Sequence, residues 1–385
     1  MELGKEEILS AIHHCVKCKL CSIASFHPNA EWLPLCPSGQ YYGYQAFYAP
    51  GKMEIFRAIL EDEITEPSEG LLNSVYACTL CGACYEKCKQ ITSVELGAPE
   101  LFEEMRSELA SKGWILDVHK NIAEKIKETR NAYGEKYEYK AETTDQNADV
   151  LYYIGCTARY RVPEIADAML EIFDKLRLKY QVMGEEWCCG SVLFRTGQVE
   201  AAKELVAHNI EEIKKSGAKT VVFTCPGCMK TFEKNYPDMG VELVHSTQFL
   251  TRLGTMNLNK ENLKAAYHDP CHLGRDLGIY EEPRAVLNEV ADIKKMKREK
   301  EQAWCCGSGG GVKSAFDDFA LWSATERLKE AKEAGAEALV SACPFCKRNL
   351  KEAAEKEELD VYDVVELVNR CLGKKKTELK IKVEV

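Results

Sequence analysis

No stretch of the 385 residues approaches the run of roughly 18 apolar positions that a membrane-crossing helix needs. The start, Met1-Glu2-Leu3-Gly4-Lys5-Glu6-Glu7, lacks the apolar centre of a secretory signal, so the sequence points to a cytoplasmic protein with no transmembrane segment of its own. A basic excess is missing too. Lys and Arg number 51 against 61 Asp and Glu, a net charge of −10, which argues against nucleic acid as a principal partner because phosphate binding needs a basic footprint. Neither a P-loop nor a GxGxxG in a strand–turn–helix setting is present, so nucleotide binding has no motif behind it.

What is plentiful is cysteine, with 19 residues. An odd count, no secretory signal, a chain long enough for large buried cores and repeated CxxC spacings favour metal over disulfides. Ten cysteines form one pattern used twice. The first copy is Cys156, Cys188-Cys189-Gly190, Cys225-Pro226-Gly227-Cys228, and the second is Cys271, Cys305-Cys306-Gly307, Cys343-Pro344-Phe345-Cys346. Matched cysteines lie 115, 117, 117, 118 and 118 residues apart, and Trp187 and Trp304 precede the pairs. Five thiols repeated in otherwise divergent halves imply duplication of a metal-binding unit. Thiolates are the soft ligands that zinc and iron–sulfur clusters select, and five exceed the four that tetrahedral zinc takes.

Eight more cysteines precede residue 90: Cys15, Cys18, Cys21 and Cys36, then Cys78, Cys81, Cys84 and Cys88. The second run has bacterial ferredoxin spacing, in which three cysteines hold one cluster and the fourth serves the other. Cys15, Cys18, Cys21 and Cys88 are therefore expected to bind one cubane [4Fe-4S] cluster, and Cys36, Cys78, Cys81 and Cys84 a second. His13, His14 and His27 lie nearby, but eight thiols already suffice, so they read as ordinary histidines. Cys371 alone is left over and reads as a packed apolar-face cysteine.

The duplicated pattern, with "YHDPCHLGRDLGIYEEPR" (267–284) and "WCCGSGGG" (304–311), resembles the CCG-domain family. That family occurs in heterodisulfide reductases and in the iron–sulfur components of glycolate and lactate oxidases. The segment 36–64 is similar to the one joining the cluster motifs of helical ferredoxin domains. Two departures stand out: fourteen residues separate Cys21 from Cys36 where three are usual, and Lys89 rather than proline follows Cys88. The resemblance is strongest to the D-type component of heterodisulfide reductase. It implies a non-cubane [4Fe-4S] cluster at each five-cysteine set, hence two cubane and two non-cubane clusters, and a disulfide cleaved between the non-cubane pair. It also implies a flavoprotein or membrane cytochrome b as electron partner, through which the protein would sit peripherally at a membrane.

Periodicity fills in the rest. Residues 5–14 and 98–130 read as helical, with apolar positions at Met53, Phe56, Ile59 and Leu60 marking another helix. Residues 131–149 are polar and aperiodic, like a linker. Strands at 150–154, 180–183, 219–224, 241–244, 265–268 and 338–341 alternate with helices near 162–176, 198–216, 282–290 and 317–334, which implies parallel sheets with sites beyond their carboxyl ends. The expected fold class is α+β multidomain: an all-α helical ferredoxin domain (1–130), a linker (131–148), and two duplicated α/β CCG domains with parallel sheets (149–256 and 262–385). Gly190 and Gly307, after the cysteine pairs, are expected to let backbone approach a bulky cluster. Cys189 and Cys306 are the expected catalytic thiols. His268 and His272, which flank Cys271 where Tyr153 and Thr157 flank Cys156, are expected to donate protons or orient a ligand. Arg159, Arg275, Arg195 and Lys313 could hold an anionic disulfide. The alternative function is a wiring module: the electron-transfer component of a flavin-dependent 2-hydroxyacid dehydrogenase or of an electron-transferring-flavoprotein complex.

Overall fold

The computed structural model describes residues 4–24, 31–92, 97–136, 141–254 and 258–373. Residues 25–30 of the insertion before Cys36, His27 among them, lie outside them. The N-terminal unit is helical, as expected. Its helix Ala49–Leu60 buries Met53, Phe56 and Ile59 at a spacing of three, and these join Ile8, Ile12, Val75, Leu101, Met105 and Leu109 in one apolar core. The long helical stretch 98–130 is two helices, Ala98–Ser111 and Asp117–Thr129. The chain turns at Gly113, whose φ of +76° suits glycine. The second helix presents Ile122 and Ile126 to Leu193, Ala202 and Leu205 of the first repeat.

Each repeat builds one four-stranded sheet, and every pairing is parallel. In the first, β1 (Val150–Tyr153), β2 (Gln181–Val182), β3 (Thr220–Phe223) and β4 (Glu242–His245) lie in the order β2-β1-β3-β4. In the second, β5 (Lys264–His268), β6 (Asp292–Lys294), β7 (Ala338–Ser341) and β8 (Asp360–Asp363) repeat it as β6-β5-β7-β8. Tyr153 pairs with Phe223 in one sheet, and His268 with Ser341 in the other. The inner strands β1, β3, β5 and β7 are mostly apolar and buried because helices cover both faces. Cys156 and Cys225 leave the carboxyl ends of β1 and β3, and Cys271 and Cys343 those of β5 and β7.

The two repeats are not independent lobes. Helix Pro163–Lys175 of the first packs against Val364–Cys371 of the second, and Ser246–Arg252 of the first against Glu281–Val290 of the second. One continuous core results, holding Met169, Ile172 and Phe173 together with Val365, Val368 and the buried Cys371. The segment expected as a linker is tied down where described. The Thr143 hydroxyl donates to the Val182 carbonyl (3.3 Å), the Thr144 amide to that of Tyr180 (3.1 Å), and the Tyr133 hydroxyl lies 2.9 Å from that of Thr157. Its polarity serves an added sheet edge rather than a free spacer.

A second seam joins the helical unit to the repeats. Arg106 is fully buried, and its guanidinium donates to the carbonyls of Val75, Tyr76, Cys78, Arg195 and Gly310 at 2.7–3.3 Å. Carbonyls from all three parts of the chain are thus held by one fixed cation.

Candidate metal centres and the cavity between the repeats

In the helical unit the eight cysteines gather in two hollows, in the interleaved sets that ferredoxin spacing suggests. Cys15, Cys18, Cys21 and Cys88 line one and Cys36, Cys78 and Cys81 the other, with Cys84 lining both. Cys36 keeps its place despite the insertion because Pro37 starts a helix. Cys36 is the N-cap, and its sulfur accepts from the Gly39 amide at 3.4 Å. Cys225-Pro226 and Cys343-Pro344 use the same device. Proline at the first helical position needs no amide partner, and the first turn then carries the next cysteine back beside the cap.

The glycines beside these thiols do more local work than expected. Gly190 and Gly307 have φ of +84° and +91°, and a Cβ on Gly307 would sit 2.6 Å from the Ala320 carbonyl oxygen. Both are required by backbone conformation and close helix packing rather than by room for a ligand. The Gly307 amide does point at sulfur, donating to Cys305 Sγ at 3.4 Å. Gly309 and Gly310 press against the Thr79 and Cys78 carbonyls, and Cys305 Sγ lies 3.5 Å from Thr79 Oγ1. The second repeat therefore abuts the hollow of Cys36, Cys78, Cys81 and Cys84.

Between the repeats lies a cavity of about 420 Å³. All five motif cysteines of the first repeat line it, as do Cys271, Cys306, Cys343 and Cys346 of the second. Five cations also line it, Lys125, Arg161, Arg195, Lys313 and Arg348, with no carboxylate among the described lining residues. Behind the lining, Arg161 pairs with Glu135 (2.6 Å) and Lys313 with Asp317 (2.6 Å) and Glu352 (2.9 Å). Of the four cations singled out in the sequence, Arg195 and Lys313 line this cavity. Lys125, Arg161 and Arg348 add to it, as does Tyr133, whose hydroxyl accepts from Arg348 (3.4 Å). Their only signal in the sequence is positive charge near other motifs.

Other expected site residues stand elsewhere. Arg159 pairs with the buried Glu186 (3.5 Å), which holds the Ile154 and Gly155 amides ahead of Cys156. Arg275 donates to the carbonyls of Cys81, Glu301 and Ala303 at 2.6–3.1 Å and so clamps the helical unit to the second repeat. Neither lines the cavity. The two histidines part company. The His272 ring lines the cavity, with Nδ1 2.5 Å from Asp276, which also pairs with Lys230 at 2.8 Å. His268 is 1% exposed behind Cys306 and does not reach the lining.

The donor sets fit iron–sulfur clusters. Burial is the main cause that pushes the Cys21 thiol up to about 12 and Cys36 up to about 11, so these two need a metal cation to hold them ionised. Sulfurs already converge, with Cys306 and Cys346 at 3.3 Å and Cys156 and Cys188 at 4.0 Å.

This fold and these thiol sets define an iron–sulfur component of an oxidoreductase. Residues 150–233 and 265–351 each match the cysteine-rich CCG domain, and residues 11–91 match a 4Fe-4S dicluster domain. The D component of the dihydromethanophenazine:CoB–CoM heterodisulfide reductase of Methanosarcina barkeri is 38% identical over 330 residues, covering 79% of this chain and 80% of that one. The B component of the fumarate reductase (CoM/CoB) of Methanothermobacter marburgensis is 32% identical, covering 80% and 64%. The EtfAB:quinone oxidoreductase of Syntrophomonas wolfei is 26% identical, covering 78% and 46%. A crystal structure of a hypothetical protein from Helicobacter pylori shares the fold, with a TM-score of 0.54 at 10% identity over 97% of this chain and 77% of that one. The chain belongs to the CCG-domain iron–sulfur oxidoreductase family, in the branch of the heterodisulfide reductase D component. No helix among the described residues is long and apolar enough to cross a membrane.

Proposed function

We propose that this chain reduces an anionic disulfide in the cavity between the repeats. The observation that carries the reading is the lining itself: nine motif thiols from both repeats and five cations around one space. Cys15, Cys18, Cys21 and Cys88 would hold one cubane cluster, and Cys36, Cys78, Cys81 and Cys84 the other. Each five-cysteine set would hold a non-cubane [4Fe-4S] cluster. When bound, these clusters supply single electrons and iron sites with affinity for sulfur. The protein's own part is to bind and orient. Arg161, Arg348, Lys125 and Lys313 draw the substrate's anionic groups inward and set its two sulfurs between the repeats. Asp276 fixes the His272 ring through Nδ1, which leaves Nε2 as the atom that exchanges a proton with product thiolate.

Electrons would arrive from a flavoprotein or cytochrome b partner at the Cys15 hollow. There Cys18, Val16 and Ile91 are exposed, with Val16 at 79%. The seam from Thr79 to Cys305 leads on to the second repeat. The test is reduced viologen plus an anionic mixed disulfide, scored for free thiol. Enzyme-dependent thiol release, lost in Arg161→Gln/Arg348→Gln, supports the reading. If wild type cleaves no disulfide but passes electrons between a flavoprotein and a quinone analogue, the chain is a wiring module instead.

A further inference from the structure

His268 and Arg327 form a pair that nothing in the disulfide chemistry uses. Arg327 is wholly buried, and its Nε donates to His268 Nδ1 at 3.2 Å. Its remaining guanidinium hydrogens go to the Arg298 carbonyl (2.8 Å), Glu330 (2.9 Å) and the Tyr267 carbonyl (3.5 Å). A guanidinium only donates, so His268 Nδ1 must be the accepting nitrogen. A neutral imidazole has one acceptor and one N–H, and the proton is therefore on Nε2. Nε2 is buried with no partner at full hydrogen-bonding distance, and the group it faces is the Cys306 sulfur. The same side chain brings a ring nitrogen within 4.8 Å of the Cys306 and Cys346 sulfurs, which are themselves within that distance of each other.

A neutral thiol is a poor acceptor for a buried N–H, whereas a metal-bound thiolate is a good one, so this N–H is best satisfied when the Cys306 sulfur is ionised. The first repeat has no equivalent. At the end of its β1 strand Tyr153 takes the place of His268, and its one hydroxyl hydrogen is committed to the Trp187 carbonyl at 2.6 Å. The buried polar residue on its long helix, Asn209, donates to the Cys188 carbonyl and to Tyr236 instead.

We propose that Arg327 fixes His268 in its Nε2–H form so that this N–H donates to the sulfurs of the second-repeat cluster, giving that cluster a higher reduction potential than its first-repeat twin. His268 is thus a positioning and tuning residue, not a catalytic one. A hydrogen bond to sulfur, backed by a buried guanidinium, stabilises the more negative reduced state. This rests on the reading that each five-cysteine set holds a cluster.

The experiment is an anaerobic redox titration of the intact, cluster-loaded chain, followed by electron paramagnetic resonance, in wild type, His268→Phe, His268→Gln, Arg327→Gln and Tyr153→Phe. Iron content and circular dichroism are checked in each. In His268→Phe, one of the two CCG signals should show a roughly tenfold lower reduced-to-oxidised ratio at fixed potential, the scale of one lost hydrogen bond to a charged group. The other three signals should hold. His268→Gln, which keeps an amide donor, should recover most of the shift, and Tyr153→Phe should produce none. An exchangeable-proton coupling on the same signal, seen by electron–nuclear double resonance in H₂O against D₂O, should vanish with His268→Phe. Unchanged titration curves in a fully loaded His268→Phe overturn the proposal, as does an equal shift in Tyr153→Phe. A His268→Phe protein that loses iron while His268→Gln titrates like wild type still supports it. Wild type without iron in the CCG sets is a different failure, that of the cluster reading itself.

Discussion

The two repeats carry the same five thiols on the same parallel sheet, yet they differ in what stands behind the metal sites and in what they touch. Behind the first are Tyr153 and Glu186, both spent on backbone. Behind the second are His268 and Arg327, with a nitrogen left over. The cysteine-bearing stretch 78–81 of the helical unit meets the second repeat: Cys305 meets Thr79, Arg275 meets the Cys81 carbonyl, and Gly310 meets the Cys78 carbonyl. Duplication thus supplies two like sites, and the docking of a third unit makes them unlike. Both open on the cavity, but on the proposed reading only the second would take electrons directly from the helical unit.

The largest expected effect tests that inequality. Cys189→Ala and Cys306→Ala should each drop disulfide cleavage to below about one hundredth, since both sets face the cavity. They should differ in what stays reducible. With Cys189→Ala the second-repeat signal still appears when electrons enter through the helical unit, whereas Cys306→Ala silences both CCG signals on the fast timescale. Rapid-freeze spectra decide it, and identical spectra from the two variants would remove the proposed order.

Next in size is the seam itself. Arg106→Met strips five buried carbonyls of their donor and should destabilise the chain by about 3–5 kcal/mol. Urea unfolding should show the helical unit separating before the repeats. A single unchanged transition would mean that the apolar contacts suffice.

A smaller effect is expected at the cavity mouth. Arg348→Gln should raise the KM for an anionic disulfide by about 3- to 10-fold with kcat nearly kept, and the difference should shrink in high salt. An uncharged disulfide should be indifferent to the change.

Smallest is the ion pair between repeats. Glu164 meets Lys347 at 2.7 Å and Lys351 at 3.0 Å; burial opposes its charge, but the two lysines win and hold its pKa down to about 2. A depressed carboxylate stabilises above its unfolded pKa near 4.5, and that share is lost as pH falls from there towards 2. Glu164→Gln should therefore cost about 1 kcal/mol at pH 7, discounted for its one-third exposure, and less below pH 4.5. Chemical denaturation of both proteins across pH would show a constant gap above pH 5 that then narrows.

The legible parts of this molecule are those whose signal is local. Thiol spacing decides which cysteines share a site because a short chain can carry its sulfurs only so far apart. Strand β7 is readable at its observed bounds because its apolar run ends just before a cysteine. The cavity is not legible. Tyr133 sits in a segment that reads as spacer, and Arg348 stands 215 residues from it. Arg106 reaches Gly310 over 204 positions. His268 and His272 look alike in sequence because both flank Cys271. One sits at the end of a strand and the other inside a helical turn, and that alone sends them to opposite sides of the metal site.

The crossed helix packing has a consequence for how such a chain could have arisen. Each repeat's first helix rests on the other's last, Pro163–Lys175 on Val364–Cys371 and Glu281–Val290 on Ser246–Arg252, so contacts are reciprocated as across a twofold axis. A lone half would leave one face of each helix uncovered, and two identical halves would cover each other by self-complementarity. Covalent joining keeps that arrangement while ending its obligation to symmetry. In an identical pair, a histidine placed behind one metal site is placed behind both. In a single chain, His268 can face Tyr153, and the twin sites are free to become a donor and an acceptor.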